Sequence, residues 1–304
     1  MVAQRTVRSV NGNAEQSATQ EDSIEAPSGA ALPASTTALV ALTGRLSPTR
    51  ASDFTTCPLL YRFRSIDRLP EPPTRAMAKG TLVHLVLERL FETEQGLRTV
   101  PFAHSLISDA WDSLCTQNSD YAHLIDDADR GPWFAEAEQL VTKYFNIEDP
   151  QSVEPHRRES PVEFQVTDDL LLRGLVDRID VDEDGNYIVV DYKTGKAPRP
   201  NYEQKAMFQM RFYALVIWRS TGRIPHQLRL MYLADGQVLT DSPSESDLIA
   251  TQRKLLALWD AIKLSHNVGE FKPRPSALCN WCNFTALCPA KGGVLPPFPR
   301  EPSA

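Results

Sequence analysis

The sequence lacks the hallmarks of several protein classes. Its longest uninterrupted apolar run, from Phe212 to Trp218, has seven residues, far short of the roughly 20 that cross a bilayer. Arginines near the N-terminus are followed by no apolar stretch, so no secretory signal is expected. No glycine-rich loop precedes a Lys-Ser or Lys-Thr pair, which argues against a P-loop ATPase. Five cysteines in 304 residues are too few for a disulfide-dense scaffold. These absences predict a cytoplasmic protein with no membrane partner.

The composition of the chain is sufficient for a folded hydrophobic core. Hydrophobic residues make up 42% of the chain and charged residues 23%, which excludes disorder along its whole length. Residues 1–42, rich in Ala, Ser, Thr, Gln and Glu, are expected to form a disordered tail, and so are the Gly- and Pro-containing residues 291–304. The body at 43–290 is expected to divide into three parts: mainly helical 43–160, an α/β core at 161–240, and a helix with a cysteine knuckle at 241–290.

Hydrophobic periodicity gives the expected elements. Helices are predicted at 47–61, 77–95, 102–114, 134–145, 202–219 and 247–265. Strands are predicted at 162–166, 170–181, 187–192 and 226–233, the first three forming a meander joined by Asp-Asp and Asp-Gly turns. The fold class expected from this order is α/β.

Two neighbouring predicted strands each carry a carboxylate within an apolar segment. Asp177 lies in Gly-Leu-Val-Asp-Arg-Ile-Asp, and Asp191 lies in Val-Val-Asp-Tyr-Lys-Thr-Gly-Lys. Asp191 and Lys193 are two residues apart and so share one face of a strand. A carboxylate pair binds Mg²⁺ or Mn²⁺, and a nearby lysine can stabilise phosphate charge or orient water. The pattern indicates metal-assisted phosphodiester hydrolysis.

The alternative is that these residues are solvated turn carboxylates and a surface lysine. That interpretation is weakened for Asp177 and Asp191, because an unpaired carboxylate inside an apolar strand is costly. Asp180 and Asp182 lie nearer the Asp-Gly turn and are expected to be solvated.

These motifs resemble the nuclease domain of the RecB family, within the PD-(D/E)xK phosphodiesterase superfamily. The segment from Gly80 to His84 is similar to the family's helical histidine motif, and the segment from Gln209 to Tyr213 to its Gln-x-x-x-Tyr helix. The resemblance spans about 46–289. It implies a PD-(D/E)xK restriction-endonuclease-like core, a central mixed sheet flanked by helices, with a helical insertion and a C-terminal cysteine cluster.

The resemblance also implies residue roles. Asp177 and Asp191 would be metal ligands, with His84 completing the coordination, and Lys193 would be the catalytic lysine. Gln209 and Tyr213 would support the site or contact the scissile phosphate.

One further candidate and two alternative interpretations belong to this set. Glu163, on the first predicted strand, matches the place of an extra acidic residue in such nucleases. His84 has Glu88 one turn later and could be satisfied by it. Gln209 and Tyr213 could instead be polar groups at the edge of the core.

Four of the five cysteines form a one-plus-three pattern. Cys279, Cys282 and Cys288 are closely spaced, and Cys57, far upstream, is the candidate fourth ligand. Cys115 fits a small buried apolar residue. The pattern resembles the 4Fe–4S staple of AddB-type and CRISPR-associated RecB-family nucleases, which implies a structural iron–sulfur cluster. Structural Zn²⁺ on four thiolates is the alternative.

The net charge of −7 is unevenly distributed. Residues 109–138 carry eight acids and one base, so the rest of the chain sums to zero, whereas 57–79 carries +3 and 193–211 carries +4. A DNA backbone channel is predicted along these basic segments, lined by Arg62, Arg64, Arg68, Lys196, Arg199 and Lys205. Tyr61, Phe63 and Tyr202 are candidates for base stacking.

The sequence therefore predicts a metal-dependent DNA nuclease, an exonuclease on single strands or DNA ends, in repair or recombination with a helicase or repair partner. Two alternatives stay open. One is a CRISPR-adaptation-type nuclease, and the other is a non-catalytic DNA-binding subunit of a helicase–nuclease complex.

Overall fold

One mixed seven-stranded sheet organises the protein, in a computed structural model that describes residues 4–6 and 44–299. The strands are β1 Gln4–Thr6, β2 Gly44–Leu46, β3 Arg157–Thr167, β4 Leu170–Val181, β5 Tyr187–Lys193, β6 Gln227–Tyr232 and β7 Gln237–Asp241. Their order is β1-β7-β6-β5-β4-β2, and β3 pairs with β4. Apart from β1, the predicted 1–42 tail lies outside the described residues, as do 300–304.

Helices cover both faces of the sheet, which confirms the predicted α/β class and its central mixed sheet. They are α1 Pro48–Thr56, α2 Pro58–Tyr61, α3 Arg75–Glu92, α4 Val100–Gln117, α5 Asp127–Ile147, α6 Glu203–Ala206, α7 Phe208–Thr221 and α8 Glu245–Val268. One core cluster joins α3, α4 and α5 to the sheet, and the other joins α1, α7 and α8 to its opposite face. Within the described part of the chain, no helix is long and apolar enough to span a membrane.

Capping side chains begin the helices that frame the sheet. Ser47 accepts a hydrogen bond from Arg50 N at the start of α1, and Thr74 accepts from Met77 N at the start of α3. Each cap satisfies one of the free N–H groups of a first turn and typically contributes about 1 kcal/mol.

The two edges of β4 are occupied differently, and this difference positions the candidate site. β3 pairs along one edge from Leu170 to Ile179. On the other edge, β2 pairs in parallel with 170–172, and β5 pairs antiparallel with 178–181. Residues 173–177 have no strand partner on that second edge among the described residues. We call this stretch the β4 gap.

Several predicted boundaries need correction. β3 begins at Arg157 and runs through Pro161, whereas the prediction placed its start at 162, after the proline. β3 pairs with β4 alone, and such an edge strand tolerates proline. The helix predicted over 47–61 is interrupted at Cys57, whose backbone is extended (φ −159°, ψ 112°). β1, β2 and β7 were not predicted, since three to five residues give little periodicity. β1 pairs with β7, so residues 4–6 are a strand rather than part of the predicted disordered tail.

The C-terminal segment packs on the body as far as it is described. Residues 293–299 contain no helix or strand, yet the Phe298 ring stacks on Phe271 with centroids 5.9 Å apart. Arg62 Nη2 donates a hydrogen bond to the carbonyl of Pro296 at 2.6 Å. These contacts bring the segment back to the start of the folded body.

Candidate active site

Asp177 lies where β4 and β5 separate. The last pair of their ladder is Arg178 with Val190, while β5 remains paired with β6 through Lys193. Asp177 Oδ2 accepts a hydrogen bond from Tyr192 N at 2.8 Å. The carboxylate thus satisfies a backbone donor left without a ladder partner on β4.

An irregularity of β4 places Asp177 and Arg178 on the same side of the sheet, although they are consecutive. Val176 packs in the cluster that contains α7, but Asp177 meets His84 on α3, and Arg178 meets Glu148 at the end of α5. Strict alternation would place consecutive side chains on opposite faces. Opposite this point, Glu159 has a left-handed backbone with φ 37°. A non-glycine residue held there is strained, and such strain is concentrated at functional sites.

His84, Glu159 and Asp177 form a compact set of potential metal ligands. Each presents a ligand atom within 4.8 Å of the other two, and His84 Nδ1 is 3.3 Å from Asp177 Oδ2. The three residues come from α3, β3 and β4. They line an open cleft of about 650 Å³, together with Leu175 and Glu88.

The electrostatics of this set fit a divalent cation. Burial and the charges of Asp177 and Glu88 raise the pKa of Glu159 to about 7. Burial and the charge of Asp177 raise the pKa of Asp191 to about 6. Burial opposes protonation of His84, but its hydrogen bond to Asp177 raises the pKa overall. Carboxylates that repel one another are relieved by a cation, and hard oxygen donors suit Mg²⁺ or Mn²⁺.

Asp191 and Lys193 share one face of β5, as the two-residue spacing predicted. Asp191 is 1% exposed, and its Oδ2 is 2.5 Å from Lys193 Nζ. Gln209, on α7, connects the group: its Nε2 donates to Asp191 Oδ1 at 2.7 Å and to Tyr213 OH at 2.8 Å. Its Oε1 accepts from Lys193 Nζ at 3.1 Å. One amide therefore fixes an acid, a lysine and a tyrosine.

Gly174 allows Tyr213 to reach this position. A Cβ added at Gly174 would lie 2.5 Å from Tyr213 Cε1 and 2.9 Å from Cδ1. The glycine of the first motif is therefore a close-approach position between β4 and α7.

The structure brings the predicted site residues together in two neighbouring groups, with Asp191 outside the ligand set that His84 and Asp177 share. One group is His84 with Asp177, and the other is Asp191, Lys193, Gln209 and Tyr213. Glu163 is not among them, because it is exposed on β3 opposite Arg173. Glu159, rather than Glu163, lies in the set with His84 and Asp177. It was missed because the strand was predicted to begin after it, although an acid two residues before Pro161 was visible.

Asp180 is buried rather than solvated, which corrects its prediction. It is 8% exposed, and its Oδ2 is 2.9 Å from Arg178 Nη2. Arg178 also binds both oxygens of Glu148 and donates to Tyr192 OH at 2.8 Å. This buried network supports the face of β5 opposite Asp191. Asp182 accepts a hydrogen bond from Asn186 N in the turn.

Two predicted DNA contacts are structural instead. Arg62 is 3% exposed, and its Nε lies 3.0 Å from Asp67 Oδ2. Arg64 is held by Asp53 at 2.7 Å and Glu71 at 2.6 Å. Both charges are paired with carboxylates, that of Arg62 in the interior and that of Arg64 at the surface, so neither guanidinium is left unpaired for a phosphate.

The remaining basic residues stay on the surface. Lys196, Arg199 and Lys205 are exposed between β5 and α7, beside the 64% exposed Tyr202. The other two aromatic candidates, Tyr61 and Phe63, are buried and cannot stack on bases.

Four cysteines line one small cavity of about 60 Å³: Cys57, Cys279, Cys282 and Cys288. Backbone N–H groups are directed at two of the sulfurs, from Arg274 to Cys57 Sγ at 3.3 Å and from Ser276 to Cys279 Sγ at 3.4 Å. Cys115 lies apart on α4, packed against the cluster that contains α3 to α5.

Among solved structures, 29 chains match. One of them, "Crystal structure of SSO0001", is 15% identical to this chain, covers 81% of this chain and 87% of its own, and has a TM-score of 0.36. No curated protein matches the chain. The family model described as PD-(D/E)XK nuclease superfamily matches residues 45–289. The chain therefore belongs to the PD-(D/E)XK nuclease superfamily.

Proposed function

We propose that the protein is a metal-dependent deoxyribonuclease that degrades single strands or DNA ends. The observation that carries the proposal is the set of potential metal ligands His84, Glu159 and Asp177. The pKa of Asp191, which is paired with Lys193, is raised by burial and by the nearby charge of Asp177. The preference for single strands or ends rests on the resemblance to RecB-family nucleases. A helicase or repair protein that exposes such ends would be its partner in repair or recombination.

His84, Asp177 and Asp191 would hold the Mg²⁺ or Mn²⁺ ion, with Glu159 as a further carboxylate. When bound, the ion supplies a Lewis acid that polarises the phosphate and lowers the pKa of the attacking water. Lys193 would place its positive charge beside the phosphate and stabilise the negative charge that develops. Gln209 holds Lys193 and Asp191 at fixed positions, and Tyr213 orients Gln209.

The four cysteines would hold a structural 4Fe–4S cluster. Tetrahedral zinc with Zn–S distances of about 2.3 Å needs sulfurs ~3.8 Å apart, and no three cysteine sulfurs of the described residues lie within 4.8 Å of one another. A four-iron cluster holds its thiolates further apart, because each binds a different iron, and N–H donors to sulfur tune such clusters. It would tie Cys57, between α1 and α2, to the C-terminal loop.

The test is digestion of 5′- and 3′-labelled DNA, single- and double-stranded, with Mg²⁺, Mn²⁺ or EDTA. We expect cleavage only in the reactions that contain Mg²⁺ or Mn²⁺, and none in EDTA. The end label that is released first gives the polarity of cleavage. Lys193→Ala should slow cleavage about 10²–10³-fold, the usual cost of one electrostatic group. Lys254→Ala, at an exposed lysine of α8, is the matched control and should be unaffected. Equal rates for the two variants would refute the role of Lys193.

A further inference from the structure

A second groove adjoins the cleft of the candidate active site. It has a volume of about 420 Å³ and is lined by Arg45, Ser47, Arg50 and Arg173, with Leu175 at its end. Leu175 also lines the cleft that contains His84 and Asp177. The two cavities are therefore neighbours across one residue. We call the second one the arginine groove.

The β4 gap explains why these residues meet. Arg173, Leu175 and Asp177 alternate along the gap and so project from one face of the strand. At a rise of about 3.3 Å per residue, Arg173 lies ~13 Å along β4 from Asp177. β2, which ends at Leu46, and the first turn of α1 bring Arg45 and Arg50 to the far end of the gap.

The charge of the arginine groove is not neutralised within the described residues. Arg45, Arg50 and Arg173 have no ion pair there, and no carboxylate lines the groove. Arg173 pairs with Glu163 in the β3–β4 register, but their side chains form no ion pair. This differs from Arg62 and Arg64, whose charges are neutralised by aspartate and glutamate. Arg50 Nη1 donates to the carbonyl of Arg45 at 2.9 Å, which fixes one guanidinium at the rim.

We propose that the arginine groove binds backbone phosphates of the substrate strand to one side of the scissile bond. The proposal rests on the proposed nuclease function, since it assigns the path of the strand through that site. A distance of ~13 Å corresponds to about four nucleotides at an axial rise of 3.4 Å, and to fewer when the strand is extended. Leu175, 50% exposed between the cavities, offers an apolar contact to a sugar or base. The groove is thus a subsite that positions the strand along β4.

The test measures binding without hydrolysis. Fluorescence anisotropy of a labelled 20-nucleotide oligo(dT) in EDTA is followed across a salt series. The variants are wild type, the double variant Arg45→Ala with Arg173→Ala, and Arg253→Ala as a control at an exposed arginine of α8. Each lost phosphate contact flattens the slope of log K against log salt by about 0.7 for single strands. The loss of two contacts should therefore flatten the slope by about 1.4. If the binding lines of the double variant and the wild type converge at 1 M salt, the double variant binds ~25-fold more weakly at 0.1 M salt.

The outcomes separate this proposal from the proposed function. If the double variant binds with the affinity and salt slope of Arg253→Ala, the arginine groove is not a phosphate site, even if the wild type cleaves DNA. If the slope flattens but no metal supports cleavage, the subsite stands and the nuclease proposal fails. Both arginines in the double variant are exposed, and matching thermal melts would show that the folds are equal. Arg173→Glu, measured alone, should weaken binding further than Arg173→Ala, and equal binding would count against the groove.

Discussion

Substituting Gly174 by alanine should damage the candidate site without touching any polar group in it. The new methyl would lie 2.5 Å from a carbon of the Tyr213 ring, well inside van der Waals contact. The ring is 5% exposed and its hydroxyl accepts a hydrogen bond from Gln209, so it cannot swing into solvent. The strand and α7 must move apart instead.

The expected cost has two parts. Overpacking a well-packed core costs about 1–3 kcal/mol, and each kcal/mol lowers the melting temperature by roughly 2–4 °C at this size. Displacing Tyr213 also displaces Gln209, which fixes Asp191 and Lys193. A misplacement of about 1 Å can cost ~10²-fold in rate. Gly174→Ala should therefore melt several degrees lower and cleave DNA far more slowly.

Two comparisons isolate the cause. Gly96→Ala is the control, because no atom lies within 4 Å of its added Cβ. In a Tyr213→Ala background the ring is gone, so adding Gly174→Ala should cost little more stability. Melting curves and initial cleavage rates are measured for each of these variants. A Gly174→Ala protein that matched Gly96→Ala in both would refute the close packing of β4 and α7.

Three further outcomes are expected. Cys57→Ser should lose iron and acid-labile sulfide after anaerobic purification, whereas Cys115→Ser should retain both. Wild-type protein that contains zinc and no iron would refute the proposed iron–sulfur cluster. Glu148→Ala removes a carboxylate that faces two arginines, so unfolding should become easier by about 3–5 kcal/mol. Asp112→Ala, at an exposed pair, should cost less than about 1 kcal/mol in the same denaturant titration. Mn²⁺ at 100 times its Kd should stabilise the wild type by about 2.7 kcal/mol, and Asp177→Asn should lose most of that shift in a thermal melt.

The period-two and helical patterns of apolar residues predicted much of the fold and part of the candidate site. The two-residue spacing placed Asp191 and Lys193 on one face because a strand alternates regardless of its neighbours. The apolar residues of α3 and β5 likewise predicted these two elements, because their spacing reflects local backbone geometry. Glu159 was missed because its role depends on a left-handed backbone and an edge strand that tolerates Pro161.

Charge was harder to interpret than periodicity. Basic side chains near the motifs look alike in a sequence, but Arg62 is buried beside Asp67. Arg45 and Arg173, far apart in the chain, share a groove because of the tertiary pairing of β2 with β4. Long-range pairing of a three-residue strand leaves no local signal, so neither the β4 gap nor its arginines could be predicted.

The central claim is that Asp177 and Asp191 serve one metal-dependent hydrolytic site with Lys193. The most direct test is the initial rate at which Asp191→Asn cleaves labelled single-stranded DNA with Mn²⁺. The wild type and Asp260→Asn, which changes an exposed aspartate of α8, are measured as controls. We predict a loss of about 10²-fold or more for Asp191→Asn and none for Asp260→Asn. An Asp191→Asn protein that cleaves at the wild-type rate would contradict the account.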